Sequence, residues 1–158
     1  MREAELQIRT VQALLDASYG AAGPHVQATI EAHRRLSAEA MLERLDGMRY
    51  FVVATVSPDG RPFTGPVDAF WIHGELWFSS APESLKVRHL RARPACSATY
   101  VDGLRTLVIT HGTVRFVDPR TVPDVIAILR AEYPDFDAWA PAEYCVLAPA
   151  KLFAATFE

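Results

Sequence analysis

Cysteine is nearly absent from this sequence: Cys96 and Cys145 are the only two. They stand far apart in apolar, strand-like surroundings, which fits buried thiols and argues against a disulfide framework or a CxxC redox pair. The expected setting is a reducing compartment. The start, MREAELQIR, lacks a basic segment followed by an apolar one, and no apolar run approaches a membrane span. The expectation is a soluble, cytoplasmic protein with no membrane partner. Charged residues make up 22% and the formal net charge is −3. Without a basic field, nucleic acid is disfavoured as a partner. No glycine-rich strand-to-helix turn is present, which argues against a P-loop or a Rossmann nucleotide site. No Ser/His/Asp or Cys/His spacing supports a nucleophile. His73 reads as a turn residue, and His89 and His111 lack the i, i+4 or carboxylate partners of a metal site, so no metal is expected. Internal repeats and low-complexity tracts are also missing.

What is present fits one domain, 1–158, whose 158 residues are 50% hydrophobic and sufficient for a real core. Helices are expected over residues 1–47 and a β-rich unit over 48–158. Ile8, Val11, Leu15 and Tyr19 recur at helical spacing, with Gly20 available to end that helix. Gly23-Pro24 opens a second helix in which Val26, Ile30 and His33 share a face, and Ser37 is placed to cap a third. Residues 49–56 form a strand with two apolar faces, expected to be covered on both sides. Ser57-Pro58-Asp59-Gly60 is a turn because proline presets φ and glycine accepts a positive φ, so residues 61–71 return antiparallel. His73-Gly74 turns the chain again into Leu76–Ser79. Pro82 is then placed to open a helix carrying Leu85, Val87 and Leu90 inward. Ala95–Val101 and Leu104–Val117 make another hairpin, with a bulge or close backbone approach expected at Gly112. A helix face formed by Val122, Val125, Ile126 and Leu129 follows, then a loop from Tyr133 to Pro141. The segments Tyr144–Leu147 and Leu152–Phe157 read as two short strands around Pro149. Six or more strands joined by tight turns predict a closed or nearly closed antiparallel barrel, which hides its edges.

Charge is unevenly spread along the chain. Lys86, Arg88, Arg91 and Arg93 cluster without an acid, so an anion site belongs near them. Ser79, Ser80 and Lys86 combine two hydroxyls, a cation and a nearby helix start, and suit a phosphate; the competing reading is an ordinary helix start with a solvated lysine. Arg91 and Arg93 read as a solvated face or a dimer rim. Asp68 sits among Pro66, Val67, Ala69 and Phe70, where an isolated carboxylate needs a partner. That partner is an arginine such as Arg105, or solvent at a sheet edge, or a hydrogen-bond donor on a ligand. Trp71, Trp77 and Trp139 are core residues or flank a planar ligand.

The stretches FVVATVSPDGRPFTGPVDAFW, ELWFSSAPESLKVRHLRARPACSATY and HGTVRFVD resemble the pyridoxamine 5′-phosphate oxidase-like superfamily, with a weaker echo in YCVLAPAKLFAATF. The resemblance spans about residues 42–118 and implies a mainly β fold with flanking helices: a six-stranded antiparallel split β-barrel of FMN-binding type, carrying an N-terminal helical extension. It further implies a homodimer with two flavin sites in its interface and FMN as cofactor, with a deazaflavin coenzyme as the alternative. Carried over by position, Ser79, Ser80 and Lys86 meet the flavin phosphate. Gly65, Pro66, Val67 and Asp68 border the ring, and Arg88 is a further contact. The oxidase proper carries an arginine at the position of Gly65, a lysine at Phe70, an arginine at Leu85 and a glutamine near Leu107, and it ends on an Arg-x-His pair where this sequence reads ATFE. Oxidation of vitamin B6 phosphates is therefore not expected. The implied activity is flavin-dependent hydride transfer to or from a small molecule, with NAD(P)H as a candidate reductant. The rival readings are a deazaflavin-dependent reductase and a non-enzymatic flavin-binding or sensing protein, with haem binding third.

Overall fold

A computed structural model of the chain describes residues 2–133, 135, 136 and 141–158. Trp139 and part of the loop after Tyr133 lie outside the described residues. Three helices come first: α1 (Arg2–Gly20), α2 (Pro24–Thr29) and α3 (Ala38–Arg44). The strands are β1 (Arg49–Val56), β2 (Pro62–Ile72), β3 (Glu75–Ser80), β4 (Ala95–Asp102), β5 (Thr106–Val117) and β6 (Glu143–Ala155). Helix α4 (Leu85–Ala92) lies between β3 and β4, and α5 (Pro123–Glu132) between β5 and β6. The strands close into one antiparallel barrel in the order β1-β2-β3-β6-β5-β4, as the turn chemistry predicts.

The turns do what their residues dictate. Gly60 adopts φ 83° and its N–H bonds the Ser57 carbonyl at 3.0 Å. His73 and Gly74 have φ 53° and 81°, so this two-residue turn matches the right-handed twist of β2 and β3. Ser37 caps α3 by accepting from the Ala40 N–H. Helix α2 ends at Thr29, before Ile30 and the exposed His33, so the second helix is shorter than its apolar spacing suggests.

Alternation along the strands sends Phe51, Val53, Leu76, Val108, Leu147 and Leu152 into the barrel, where they are almost fully buried. The opposite face of β1 is open: Tyr50 is 65% and Val52 47% exposed, so the expectation of cover on both sides fails within this chain. A second, smaller core forms outside the barrel, where α5 lays Val125, Ile126 and Leu129 over Phe70, Trp77 and Val146.

The two short strands expected around Pro149 are one continuous strand. Gly112 pairs with Pro149 at a register shift, and a Cβ on Gly112 would lie 2.0 Å from the Ala148 carbonyl oxygen. Only glycine allows that approach. Pro149 is tolerated because β3 leaves β6 at Leu147, so no second neighbour requires the missing N–H.

Beyond Leu147, the edge of β6 abandoned by β3 is closed by the N-terminal segment. The Ser18 hydroxyl accepts from the Leu152 N–H at 2.9 Å. The Tyr19 hydroxyl accepts from the Ala154 N–H at 3.1 Å and donates to the Ala154 carbonyl at 2.8 Å. The Leu36 N–H donates to the same carbonyl, and the Thr156 N–H donates to Arg34.

Candidate functional site

The site arises where two strands part. The β2–β3 ladder runs from Ile72/Glu75 to Ala69/Phe78 and stops there, although both strands continue. Ser79 and Ser80 pair onward with β6 alone, and Gly65 to Asp68 with β1 alone. The edges facing the gap therefore present backbone N–H and C=O groups without a ladder partner. Such groups are able to bind a ligand edge.

A cleft of about 410 Å³ opens along this gap, within the range of roughly 300–1,000 Å³ usual for small-molecule sites. Pro66, Val67, Asp68, Ser79, Ser80 and Lys86 line one stretch of it. The remainder is mostly aromatic: Tyr50, Phe70, Trp77, Tyr133, Phe136 and Tyr144, with Phe78 and Leu129. The lining thus combines a cation, hydroxyls and a carboxylate with aromatic rings, a chemistry suited to a planar ring bearing an anionic tail.

The polar portion is built from the start of α4. The helix begins at Leu85, later than Pro82, because the Ser84 hydroxyl caps it by accepting from the Val87 N–H at 3.2 Å. Val87, His89 and Leu90 turn inward, whereas Leu85 is 52% exposed. Ser84 also bonds the Ser80 hydroxyl at 3.0 Å, tying the end of β3 to the helix start. The Lys86 ammonium donates no hydrogen bond and pairs with no carboxylate among the described residues, and the Ser79 hydroxyl likewise has no partner there. One free cation and one free hydroxyl therefore face the same cleft.

Asp68 finds neither Arg105 nor isolation. It is exposed and accepts a hydrogen bond from the Tyr133 hydroxyl at 3.0 Å, while Arg105 pairs with Asp102. Burial, and then the Asp68 carboxylate, push the Tyr133 phenol well above its ordinary value. Tyr133 thus remains a neutral donor, joining the end of α5 to β2 across the cleft. An edge-to-face contact with Phe70, centroids 5.7 Å apart, holds its ring.

Of the candidate residues, Gly65 lies beside the Lys86 tip and Arg88 is exposed outside the lining. Arg91 pairs with Glu143 and covers the Phe116 ring at 4.7 Å, and Arg93 donates to the Val56 carbonyl at 2.9 Å, so both brace the fold. Trp77 lines the cleft; Trp71 belongs to the barrel core. Tyr50, Tyr133, Phe136 and Tyr144 were not signalled by local sequence. Tyr50 stands opposite Asp68 and Tyr144 opposite Ser79, a proximity that only strand register reveals. Among the described residues no group of three His, Cys, Asp or Glu side chains is placed to hold a metal, and no helix is long and apolar enough to cross a membrane.

Residues 37–158 match the family described as pyridoxamine 5′-phosphate oxidase. The chain belongs to that family. The match begins at the cap of α3 and ends with the chain, so α1 and α2 lie outside the part shared with the pyridoxamine 5′-phosphate oxidase family. Among solved structures, a conserved hypothetical protein from Mycobacterium tuberculosis is 20% identical with a TM-score of 0.71, over 82% of this chain and 90% of its own. A FAD-binding protein from Mesorhizobium loti is 20% identical with a TM-score of 0.60, over 77% and 93%. An F420 reductase is 22% identical with a TM-score of 0.54, over 68% and 91%. These likenesses establish a shared split-barrel fold. A search of curated proteins gives no match.

Proposed function

We propose that the chain is a flavin-dependent oxidoreductase that holds FMN in the cleft where β2 and β3 part, as one half of a homodimer. The observation that carries this reading is a Lys86 ammonium with no partner among the described residues, lining one cleft with Ser79, Ser80 and several aromatic rings. The residues present fit the group. Lys86 and the Ser79 hydroxyl would hold the phosphate, with Ser80 fixed by Ser84, through charge-assisted hydrogen bonds. The aromatic walls would shield the ring, and the free backbone edges of Gly65, Pro66 and Val67 would meet its polar rim, Pro66 offering its carbonyl alone. Asp68 would accept from a ring N–H. A bound flavin supplies hydride exchange with a small molecule, and this chain's groups bind it, orient it and exclude water around it.

The homodimer reading draws support from the open face of β1. Tyr50 and Val52, with Val101 of β4 at 60% exposure, form an apolar outer surface, and Tyr50 also lines the cleft. A second copy seated there would cover both.

A deazaflavin coenzyme is the second reading. It draws support from the F420 reductase of the same fold and from Arg88, exposed near Lys86 with no side-chain partner among the described residues.

Titration with FMN, followed by flavin fluorescence, tests the site. Lys86→Ala should weaken binding by roughly 10-fold or more, the loss of a hydrogen bond to a charged group. Equal affinity in the variant and the parent chain would remove Lys86 from the phosphate. Turnover of bound flavin with NAD(P)H and an acceptor separates an enzyme from a binding protein.

A further inference from the structure

A second hollow lies beyond α5. Leu129 of that helix lines the cleft, whereas Ile128 and Glu132 line a separate space of about 370 Å³. Its other walls are Gln7 of α1, the end of α3 with Asp46 and Gly47 after it, and the end of β2 with the turn residue His73. Among the described residues Phe70 alone borders both spaces. Helix α1 lies outside the residues that match the family, so this hollow has one wall beyond the shared part.

Four polar side chains line this space without a hydrogen-bond or ion-pair partner among the described residues. Trp71 is only 9% exposed, and its buried indole N–H bonds nothing, although such a group ordinarily finds an acceptor. The Gln7 amide and the Asp46 and Glu132 carboxylates are the other three. Glu132 comes close to the backbone where Gly47 has no side chain: a Cβ there would lie 3.5 Å from its Oε2 and 3.9 Å from Nη1 of Arg49. Arg49 does not neutralise it, because its guanidinium donates to the Arg44 carbonyl at 2.9 Å and the Met48 carbonyl at 2.8 Å. His73 turns to Asp124, 3.8 Å away. Between the polar groups the lining is apolar, with Leu42, Leu45, Ile72 and Ile128.

We propose that this hollow is a binding site for a small organic cation, a primary ammonium on an apolar body that also carries an oxygen. An ammonium has three N–H donors and no acceptor, which matches two carboxylates and the Gln7 carbonyl oxygen. The Trp71 N–H requires an acceptor, and the oxygen of the same molecule supplies it. The hydrocarbon part covers the apolar lining. An anion would face two unpaired carboxylates, and a wholly apolar molecule would leave all four polar groups without partners. The site is independent of the flavin reading of the cleft.

The test follows the indole N–H signals of the full chain, labelled with ¹⁵N, by NMR. Trp71, Trp77 and Trp139 are the only tryptophans, so Trp77→Phe and Trp139→Phe assign the Trp71 signal by removing the other two. The probes are phenylalaninol, 2-phenylethylamine, which lacks the hydroxyl, and 3-phenylpropan-1-ol, which lacks the ammonium. Phenylalaninol should move the Trp71 signal to saturation. Loss of the hydroxyl should weaken binding about 3-fold or more, and loss of the ammonium about 10-fold or more. Asp46→Asn and Glu132→Gln change exposed side chains and should each weaken both amines about 3-fold or more, with the alcohol unaffected. A Trp71 signal unmoved by about 10 mM phenylalaninol overturns the proposal, as does an alcohol that binds as tightly as the amines. So do amine affinities unchanged in both carboxylate variants, a loss that the alcohol shares, which marks a structural role, and movement of the Trp77 signal alone, which places the probe in the cleft.

Discussion

Cys96 and Cys145 hold their protons far into the alkaline range. Burial pushes the Cys96 thiol from 9.0 to about 11. Burial, followed by the Glu143 carboxylate, pushes Cys145 from 9.0 to about 12. Burial also raises the Tyr19 phenol above its ordinary value. In each case the folded chain binds the proton more tightly than the unfolded chain does. Their contribution to stability is complete below pH 9 and is lost as the pH rises through 11. Each tenfold difference in proton affinity is worth about 1.4 kcal/mol, so the loss reaches a few kcal/mol. Urea midpoints should be flat from pH 7 to 8.5 and fall steadily above pH 9; a midpoint unchanged at pH 10.5 would contradict the buried placement of these groups. At this scale the sequence was informative wherever chemistry is local. Ser79, Ser80 and Lys86 were legible as a group, and one cleft brings them together; Gly112 was legible as a close approach. The Asp68–Tyr133 bond was not, because it joins residues 65 apart through the packing of α5.

Elements were legible where turns announce them. Ser57–Gly60 and His73–Gly74 set their hairpins by residue type. Starts and stops that depend on neighbours were not: α4 begins at its Ser84 cap, and β6 runs through Pro149 because β3 has already left it. The N-terminal helices have a role that no local pattern shows, since Ser18 and Tyr19 of α1 pair with backbone groups of β6. Tyr19→Phe keeps the ring and removes both bonds to Ala154, leaving its buried N–H without the hydroxyl acceptor while its carbonyl keeps the Leu36 N–H. The expected cost is about 1–3 kcal/mol, read from urea denaturation. A neutral change would mean that other groups close this edge.

At the scale of the molecule, the barrel is closed, and the cleft opens where the β2–β3 ladder stops short of the ends of both strands. Its aromatic walls come from β1, β2, β3, β6 and the residues after α5, and Tyr50 carries them out to the open face of β1. Val52→Asp places a charge in the middle of that face without touching the barrel core. It should convert a dimer to a monomer in light scattering and weaken FMN binding as well. An unchanged dimer would place the interface elsewhere.

For a flavin in this cleft, the deciding measurement is an absorption spectrum of the freshly purified protein with the mass of the molecule that denaturation releases. The expected result is flavin bands and the mass of FMN. A different bound molecule, or a colourless protein that takes up no added FMN, would contradict it.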